Sequence, residues 1–421
     1  WALHPTDFIN FLNATEDEAM YTINMNGTAK EAAALVAFFN GSVDDDSVIG
    51  VDLLGHDWGT VSQWAQLRAA HGNAAPIGLT YWEIGNELFA GKPDMGTDCT
   101  FAWGWENVWT CDGTEYVMGI GSGETRKEGF LEYVEAMKAV DPTILIGAVG
   151  VSPAGEWTNW GNKVVAAAGE VMDFYIIHEY GYFDPPARYE SILALPQTVW
   201  GPLMTDVVAS FAQGANGRSV PVAITEYNLF AFQDNDNEQL MTRAVNMLYL
   251  ADTIGQMATH GIEIANQWNL ANGVNDGSTD YGLLHIDNAE YAPYPQYYVF
   301  PLWSQFGTEM LPVSSPFAPD TTLSVYGGKH EDGGASLLAI NKTGEAIPST
   351  VQFLPATTAF TSGTIDTVQA DSLESQTVTF NGISNPAPDL ANAPAAILKT
   401  ISNPFSYTFP PYSITLIRLS P

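Results

Sequence analysis

The 421-residue chain carries 48 Asp and Glu against 14 Lys and Arg, a formal net charge of −34. Such a surface repels polyanions and no basic run interrupts it, which excludes nucleic acid as a partner. No run of about 18 apolar residues occurs, which argues against a membrane span. The length exceeds one core of ordinary size, so we expect one large domain and one smaller domain.

Short apolar β-type runs alternate with longer helical segments up to about residue 310. This alternation is typical of parallel βαβ units. The predicted strands cover residues 19–26, 78–87, 144–151, 174–180, 221–227 and 262–269. The predicted helices cover residues 29–41, 126–140, 203–214 and 238–261.

A different pattern begins near residue 313, where short alternating runs are separated by Gly, Pro, Ser and Thr. These runs favour antiparallel strands of a small sandwich. They are TTLSVYGG, GASLLAINK, STVQFLP, SQTVTFNG and YSITLIRLS. We therefore predict an α/β domain over residues 1–312 and a β-sandwich domain over residues 313–421.

The two cysteines, Cys99 and Cys111, fall in one Gly-, Trp- and Asp-rich stretch. A disulfide would hold this short loop and would suit an oxidising compartment, whereas the alternative is two free thiols. We predict a secreted protein. The chain opens without a basic segment followed by an apolar one, as expected of a mature or trimmed start.

Polar and aromatic residues end four of the predicted strands, where a strand interior would contain more Val and Ile. These residues are Asn24 and Asn26, Asn86 and Glu87, His178 and Tyr180, and Glu226 with Asn228. In a (β/α)8 barrel the carboxyl ends of the strands converge on one pocket. We therefore expect these side chains to meet.

Two carboxyl groups in such a pocket can cleave a glycosidic bond together, each with a separate role. One stays protonated and donates to the leaving oxygen, while the other is ionised and attacks the anomeric carbon. Glu87 and Glu226 are the candidates for this pair.

The motifs WEIGNE (82–87) and ITEYN (224–228) resemble those of clan A glycoside hydrolases. In that clan an Asn-Glu pair ends barrel strand 4 and the nucleophilic Glu ends strand 7. The chain most resembles family 51, the α-L-arabinofuranosidases, and is also similar to family 39. Further matching stretches are INMNGT, EAAALVAFFNG, MKAVDPTILIGAVG, MDFYIIHEY and PPYSITLIRL. The resemblance implies a (β/α)8 TIM barrel followed by a C-terminal antiparallel β-sandwich.

The same resemblance implies roles for individual residues. Glu87 would be the general acid/base, Glu226 the nucleophile, and Asn86 a donor to the sugar's 2-hydroxyl. The resemblance implies no cofactor and no metal.

Four further residues complete the predicted site. His178 and Tyr180 would sit near the nucleophile and help to fix its ionisation. Asn24 matches a substrate-contacting position, and Trp268 would stack on a sugar ring. The alternatives are a structural role for His178 and core packing for Trp268.

The N-terminus departs from the family pattern. If Glu87 ends strand 4, then the run 19–26 is strand 3, and the residues before it supply a helix but not strands 1 and 2. We therefore expect an N-terminally truncated barrel of six strands.

We predict a retaining glycoside hydrolase acting on plant-type polysaccharide, foremost an α-L-arabinofuranosidase acting on arabinoxylan or arabinan. The alternatives are an endo-β-glucanase or β-xylosidase of the same clan, acting on β-glucan or xylan, and a non-catalytic carbohydrate-binding protein. The sugar, the linkage, exo or endo action and the oligomeric state stay open.

Overall fold

The structure, a computed structural model, describes residues 4–90, 108–287, 290–355, 360–384, 386–398 and 401–421. A six-stranded sheet in the order β1 to β6 forms its first part. The strands are β1 (Met20–Ile23), β2 (Tyr81–Ile84), β3 (Leu145–Val149), β4 (Phe174–Tyr182), β5 (Val222–Phe230) and β6 (Ile264–Gln267). The first four strands pair in parallel. All six strands predicted from the sequence are therefore present.

Helices follow the strands of this sheet, as the alternating pattern predicted. They are α1 (Pro5–Thr15), α2 (Ala29–Asn40), α3 (Val61–Ala70), α4 (Gly113–Met118), α5 (Phe130–Val140), α6 (Glu156–Ala168), α7 (Tyr189–Ala194), α8 (Pro196–Gly214), α9 (Ala244–Thr259) and α10 (Phe300–Trp303). Among the described residues, no helix is both long and apolar enough to cross a bilayer.

The turn from β1 into α2 shows how local sequence directs the chain. Gly27 N–H donates to the carbonyl of Asn24 at 3.1 Å and closes the turn. Thr28 then caps α2: its hydroxyl accepts from the Glu31 backbone N–H, and the Glu31 carboxylate accepts from the Thr28 N–H. This reciprocal pair satisfies two N–H groups that a helix start leaves without partners.

Antiparallel strands make up the C-terminal part. They are the hairpin of β7 (Leu284–Asp287) and β8 (Glu290–Pro293), followed by β9 (Glu309–Leu311), β10 (Leu323–Lys329), β11 (Ala335–Asn341), β12 (Ile347–Val351), β13 (Ser362–Gln369), β14 (Thr379–Phe380), β15 (Ile383–Ser384), β16 (Ala396–Leu398), β17 (Phe405–Phe409) and β18 (Ser413–Ser420). The larger sheet has the order β15-β14-β13-β18-β11-β10-β9, with β16 on β13, and β12 pairs with β17.

The core of this C-terminal part lies between its two sheets. Leu323, Leu337 and Ile417 of the large sheet belong to one buried cluster with Ile347 and Phe409 of the β12–β17 pair. Two antiparallel sheets that share a core form a sandwich, so the predicted fold class, a TIM-type barrel sheet followed by a β-sandwich, is confirmed.

A fully buried ion pair links α9 to the end of β11. Nζ of Lys342 lies 2.7 Å from Oδ2 of Asp252, and both side chains are inaccessible to solvent. The ammonium also donates to the carbonyls of Leu193 and Pro319, and Tyr326 donates its hydroxyl to Asp252. Hydrogen bonds on both charges make their burial tolerable.

The chain forms two compact units, and their boundaries differ from those of the predicted domains. One comprises Trp1–Ile177 with Leu203–Ala223, and the other comprises His178–Pro202 with Ile224–Pro421. The boundary between residues 312 and 313 stays a prediction. Cys111 is buried and disulfide-bonded, whereas Cys99 lies outside the described residues.

Candidate active site

The turn after β2 carries Asn86 and Glu87. Gly85 N–H donates to the Ile23 carbonyl at 2.9 Å, at a φ of +86°, and a Cβ there would lie 2.5 Å from Leu88 Cδ1. Only glycine fits this turn. Glu87 itself has a φ of +43°. Such a backbone costs a non-glycine residue about 1–3 kcal/mol and persists where the surrounding structure holds it in place.

A buried tyrosine, Tyr116, lies beneath the predicted site residues and hydrogen-bonds the strand end that leads into this turn. It was not among the residues predicted from sequence. The Tyr116 hydroxyl donates to the carbonyl of Ile84 at 2.9 Å and accepts from the N–H of Val149 at 3.2 Å. It therefore joins the carboxyl ends of β2 and β3. Complete burial raises the pKa of Tyr116, which keeps the hydroxyl protonated for both bonds.

Asn24 lies directly after β1, with its side chain exposed and turned onto its own loop. Its Oδ1 accepts from the backbone N–H of Asn26 at 2.9 Å. Asn24 also lines a cavity of about 650 Å³, together with Tyr21, Trp58 and Trp64. The sequence pattern indicated Asn24 but not the two tryptophans beside it.

Glu226 is the central residue of β5 and lies beside two residues of β4. The Tyr180 hydroxyl donates to Glu226 Oε2 at 2.6 Å, and Nδ1 of His178 lies 3.5 Å from the same oxygen. Both side chains of the Glu226–His178 pair are largely buried. A hydrogen bond from a hydroxyl and a nearby imidazole both favour the ionised carboxylate, which is the form a nucleophile needs.

His178 is itself held by a partner that the sequence analysis missed. Its Nε2 lies 3.0 Å from the hydroxyl of Thr225. If the threonine donates to Nε2, the ring proton sits on Nδ1 and faces Glu226. The signal for Thr225 was its place in ITEYN, one residue before Glu226.

Glu179 lies between His178 and Tyr180 on β4. Burial raises the pKa of Glu179 to about 7. Strand alternation turns its side chain to the opposite face from those two neighbours. Strand β4 therefore carries a carboxyl group, that of Glu179, whose pKa is raised. No hydrogen bond between Glu179 and Glu226 is among those described.

Trp268 follows β6 and is 40% exposed. Its N–H donates to the Tyr227 carbonyl at 3.1 Å, and its own carbonyl accepts from Nδ2 of Asn228. The ring is therefore not part of the core, and the backbone that carries it is fixed to β5.

Strands β4 and β5 extend beyond their predicted ends, by two residues to Tyr182 and by three to Phe230. Ala231 N–H still donates to the Tyr182 carbonyl at 2.9 Å. His178, Tyr180 and Glu226 consequently lie within strands, whereas the turn after β2 presents Asn86 and Glu87.

No protein-family profile matches the sequence, and neither does any of the curated proteins compared. Solved structures do match. An α-L-arabinofuranosidase from Thermotoga maritima, solved in complex with arabinose, superposes with a TM-score of 0.67 at 20% identity over 98% of this chain and 77% of its own. The fold is that of the family 51 enzymes.

Two more solved structures have this fold. A family 51 α-L-arabinofuranosidase from Bifidobacterium longum superposes with a TM-score of 0.66 at 16% identity, over 100% of this chain and 79% of its own. A family 44 xyloglucanase from Paenibacillus polymyxa has a TM-score of 0.59 at 14% identity, over 99% and 83%. The resemblance to the family 51 fold read from the sequence motifs is confirmed.

Proposed function

We propose that this protein is a retaining glycoside hydrolase in which Glu226 is the nucleophile and Glu87 the general acid/base. The observation that carries the proposal is the environment of Glu226, whose Oε2 accepts from Tyr180 and faces His178. A carboxylate that accepts a hydrogen bond from a hydroxyl and faces an imidazole is suited to attack an anomeric carbon.

The topology of the barrel sheet supports the second half of the proposal. Glu87 lies three residues after the last residue of β2, and Glu226 is the central residue of β5. Parallel strands present their carboxyl ends at one edge, where barrel enzymes carry their catalytic residues. The positive φ of Glu87 adds to this support, because strained backbone accumulates at such sites.

The proposed reaction has two steps. In the first, Glu226 attacks the anomeric carbon, the glycosidic C–O bond breaks, and Glu87 gives its proton to the leaving oxygen. In the second, Glu87 takes a proton from water, the water oxygen bonds to the anomeric carbon, and Glu226 leaves as a carboxylate. Two inversions give net retention, and the mechanism requires carboxyl groups about 5–5.5 Å apart.

The proposed substrate is a terminal α-L-arabinofuranosyl group of arabinoxylan or arabinan. The two α-L-arabinofuranosidase structures named above support it. The xyloglucanase neighbour supports the alternative, internal cleavage of a β-glucan. An open groove lined by Trp103, Trp105 and Trp109 would favour that alternative. Trp109 is buried, and Trp103 and Trp105 lie outside the described residues.

A panel of aryl glycosides tests the proposal. We expect release of the aryl group from the α-L-arabinofuranoside, with the β-xyloside and β-glucoside cleaved far more slowly, and retained configuration by proton NMR. Faster cleavage of a β-glucoside would select the alternative. Binding to polysaccharide without cleavage of any substrate would reject an enzyme, and an inverted product would reject the double displacement.

We also propose that the protein is secreted. The disulfide at Cys111 supports this, because structural disulfides persist in oxidising compartments. Detection of the protein in the culture medium rather than in the cell pellet of its source would test it.

A further inference from the structure

Two phenylalanines follow the strands that carry Tyr180 and the proposed nucleophile. Phe183 comes directly after the last residue of β4, and Phe232 comes two residues after the last residue of β5. Their ring centroids lie 5.8 Å apart, with an angle of 45° between the ring planes. Phe183 is 58% exposed and Phe232 is partly exposed. The pair therefore presents aromatic surface to solvent beyond the ends of β4 and β5.

Hydrogen bonds hold the backbone around the first ring. The Phe183 carbonyl accepts from Nδ2 of Asn235 at 2.7 Å. The preceding carbonyl, that of Tyr182, accepts from the N–H of Ala231 at 2.9 Å. The segment after β4 is thus bound to the segment after β5, and Phe183 is exposed although its backbone is fixed.

Tyr281 holds the backbone on both sides of the second ring. Its hydroxyl donates to the Ala231 carbonyl at 2.8 Å and accepts from the Gln233 N–H at 2.6 Å. These two residues flank Phe232 in the sequence. A ring on a backbone that is already held loses little conformational entropy when a ligand binds to it, which favours binding.

Trp268 extends the pair to the next strand of the sheet. Four aromatic residues are exposed in the part of the chain that the structure describes, namely Phe11, Phe183, Trp268 and Tyr291. Two of the four directly follow strands of the barrel sheet, Phe183 after β4 and Trp268 after β6. Because β5 lies between these two strands, aromatic residues follow three neighbouring strands of the sheet.

An uncharged glycan is the ligand that suits this surface, because the C–H faces of sugar rings pack against aromatic faces. Exposed carboxylates lie near both rings in the sequence, at Asp184 and Asp234. They repel an anionic ligand or an anionic lipid surface, as does the net charge of −34. A neutral polysaccharide is not repelled, and it is the class of substrate proposed above.

We propose that Phe183 and Phe232 bind the main chain of arabinan. The proposal rests on the proposed function, because it takes Glu226 as the reacting group. Arabinan is favoured because its main chain consists of the same sugar that is proposed for the active site, whereas the main chain of arabinoxylan consists of xylose.

The position of the rings along the strands predicts a dependence on substrate length. A strand advances about 3.3 Å per residue, so Phe183, three residues after Tyr180, lies roughly 10 Å further along the chain. This distance exceeds the width of one sugar ring. Only a substrate with several linked sugars can therefore reach the two phenylalanines from the bond that is cleaved.

Substrates of two lengths test the proposal, with kcat/KM measured for α-1,5-linked arabinohexaose and for an aryl α-L-arabinofuranoside. The double variant Phe183→Ala with Phe232→Ala should lower the ratio of these two values about 5- to 100-fold, the loss expected for two aromatic contacts. Because both values come from one protein, partial misfolding does not change their ratio. An unchanged ratio would overturn the proposal.

Single variants separate the aromatic ring from its bulk. Phe183→Leu keeps an apolar side chain without a ring and should lower the ratio about 2- to 10-fold, whereas Phe183→Tyr keeps the ring face and should restore it. Phe11→Ala removes an exposed phenylalanine of α1 and is the matched control, with the ratio of wild type. Equal ratios in Phe183→Leu and Phe183→Tyr would contradict an aromatic contact.

Binding without turnover separates this proposal from the proposed function. Affinity electrophoresis of Glu226→Ala in gels that contain debranched arabinan should show retardation, and adding Phe183→Ala and Phe232→Ala should remove most of it. That result would support the aromatic site even if the wild type cleaved none of the aryl glycosides. No retardation, retardation that the added substitutions leave unchanged, or stronger retardation by arabinoxylan or β-glucan would each reject arabinan as the ligand of this site.

Discussion

The Tyr180 hydroxyl donates to Oε2 of Glu226 across 2.6 Å. This length is typical of a hydroxyl bound to an ionised carboxylate, and such bonds are about twice as strong as neutral ones. The contact joins β4 to β5 at the residue proposed as nucleophile. A substitution at Tyr180 therefore changes the environment of the Glu226 carboxylate while Glu226 itself is kept.

Tyr180→Phe should lower kcat/KM about 10- to 100-fold, since a hydrogen bond to a charged group contributes about 1.5–3 kcal/mol. Without this donor the carboxylate is less stabilised, so the acidic limb of the pH profile should move to higher pH. Tyr182→Phe, two residues along the same strand, is the matched control. An unmoved acidic limb in Tyr180→Phe would remove Tyr180 from this role.

Replacing either proposed catalytic carboxyl group should have a distinct effect. Glu226→Ala should abolish turnover, because no covalent intermediate can form. Glu87→Ala should lose about 10²–10⁴-fold, the usual contribution of general acid/base catalysis, and azide should restore part of the rate and yield a glycosyl azide of retained configuration. Glu124→Ala, at an exposed position, is the control. Full activity in either catalytic variant would exclude that residue.

Glu179 should make stability depend on pH. Burial raises the pKa of Glu179 from 4.5 to about 7, so between these values the folded chain holds a proton that the unfolded chain has released. The free energy of unfolding therefore falls as pH rises from about 4.5 to 7. Glu179→Gln should match wild type at pH 4.5 and have the higher melting temperature at pH 8, with an advantage on the order of 3 kcal/mol. The exposed Glu190→Gln should show no such crossover, and a pH-independent difference in Glu179→Gln would contradict the prediction.

Trp268→Ala should raise KM about 2- to 10-fold and change kcat little, because an aromatic contact contributes about 0.5–1.5 kcal/mol. Trp268→Phe keeps a ring face and should retain most of the affinity. Steady-state kinetics on the preferred aryl glycoside measures both. A KM equal to wild type in the alanine variant would show that the exposed ring takes no part in binding.

Lys342→Met should destabilise the fold by about 3–5 kcal/mol, because it leaves Asp252 charged and buried without its cation. The double variant Lys342→Met with Asp252→Leu should lose less than the single variant. Thermal unfolding compares the two, and an additive loss would contradict a coupled pair.

The strands of the barrel sheet could be predicted from sequence because each is a short apolar run ending in polar residues. The proposed catalytic pair came from motif resemblance, and the roles of Glu87 and Glu226 stay predictions. The contacts around Glu226 could not be predicted in the same way. They depend on the register between β4 and β5, which the sequence does not indicate. Thr225 is a residue type common in strands, and only the structure places its hydroxyl beside Nε2 of His178.

Helix α3 shows why one element escaped prediction. Its sequence VSQWAQLRAA has little apolar periodicity, yet Arg68 is fully buried. The Arg68 guanidinium donates to the carbonyls of Phe38, Gly41 and Ala74. A charged residue therefore occupies a core position of the helix, which no pattern of apolar residues can indicate.

The Lys342–Asp252 pair also bears on how this protein could have changed over time. The lysine follows β11 and its aspartate lies on α9, which precedes β6, so replacing the chain around Lys342 without a substitute cation would leave Asp252 buried and unpaired with a positive charge. A graft that replaced the sandwich with another accessory domain would have to bring its own buried cation. Descendants of this chain that altered one of these two residues would therefore be expected to alter the other as well.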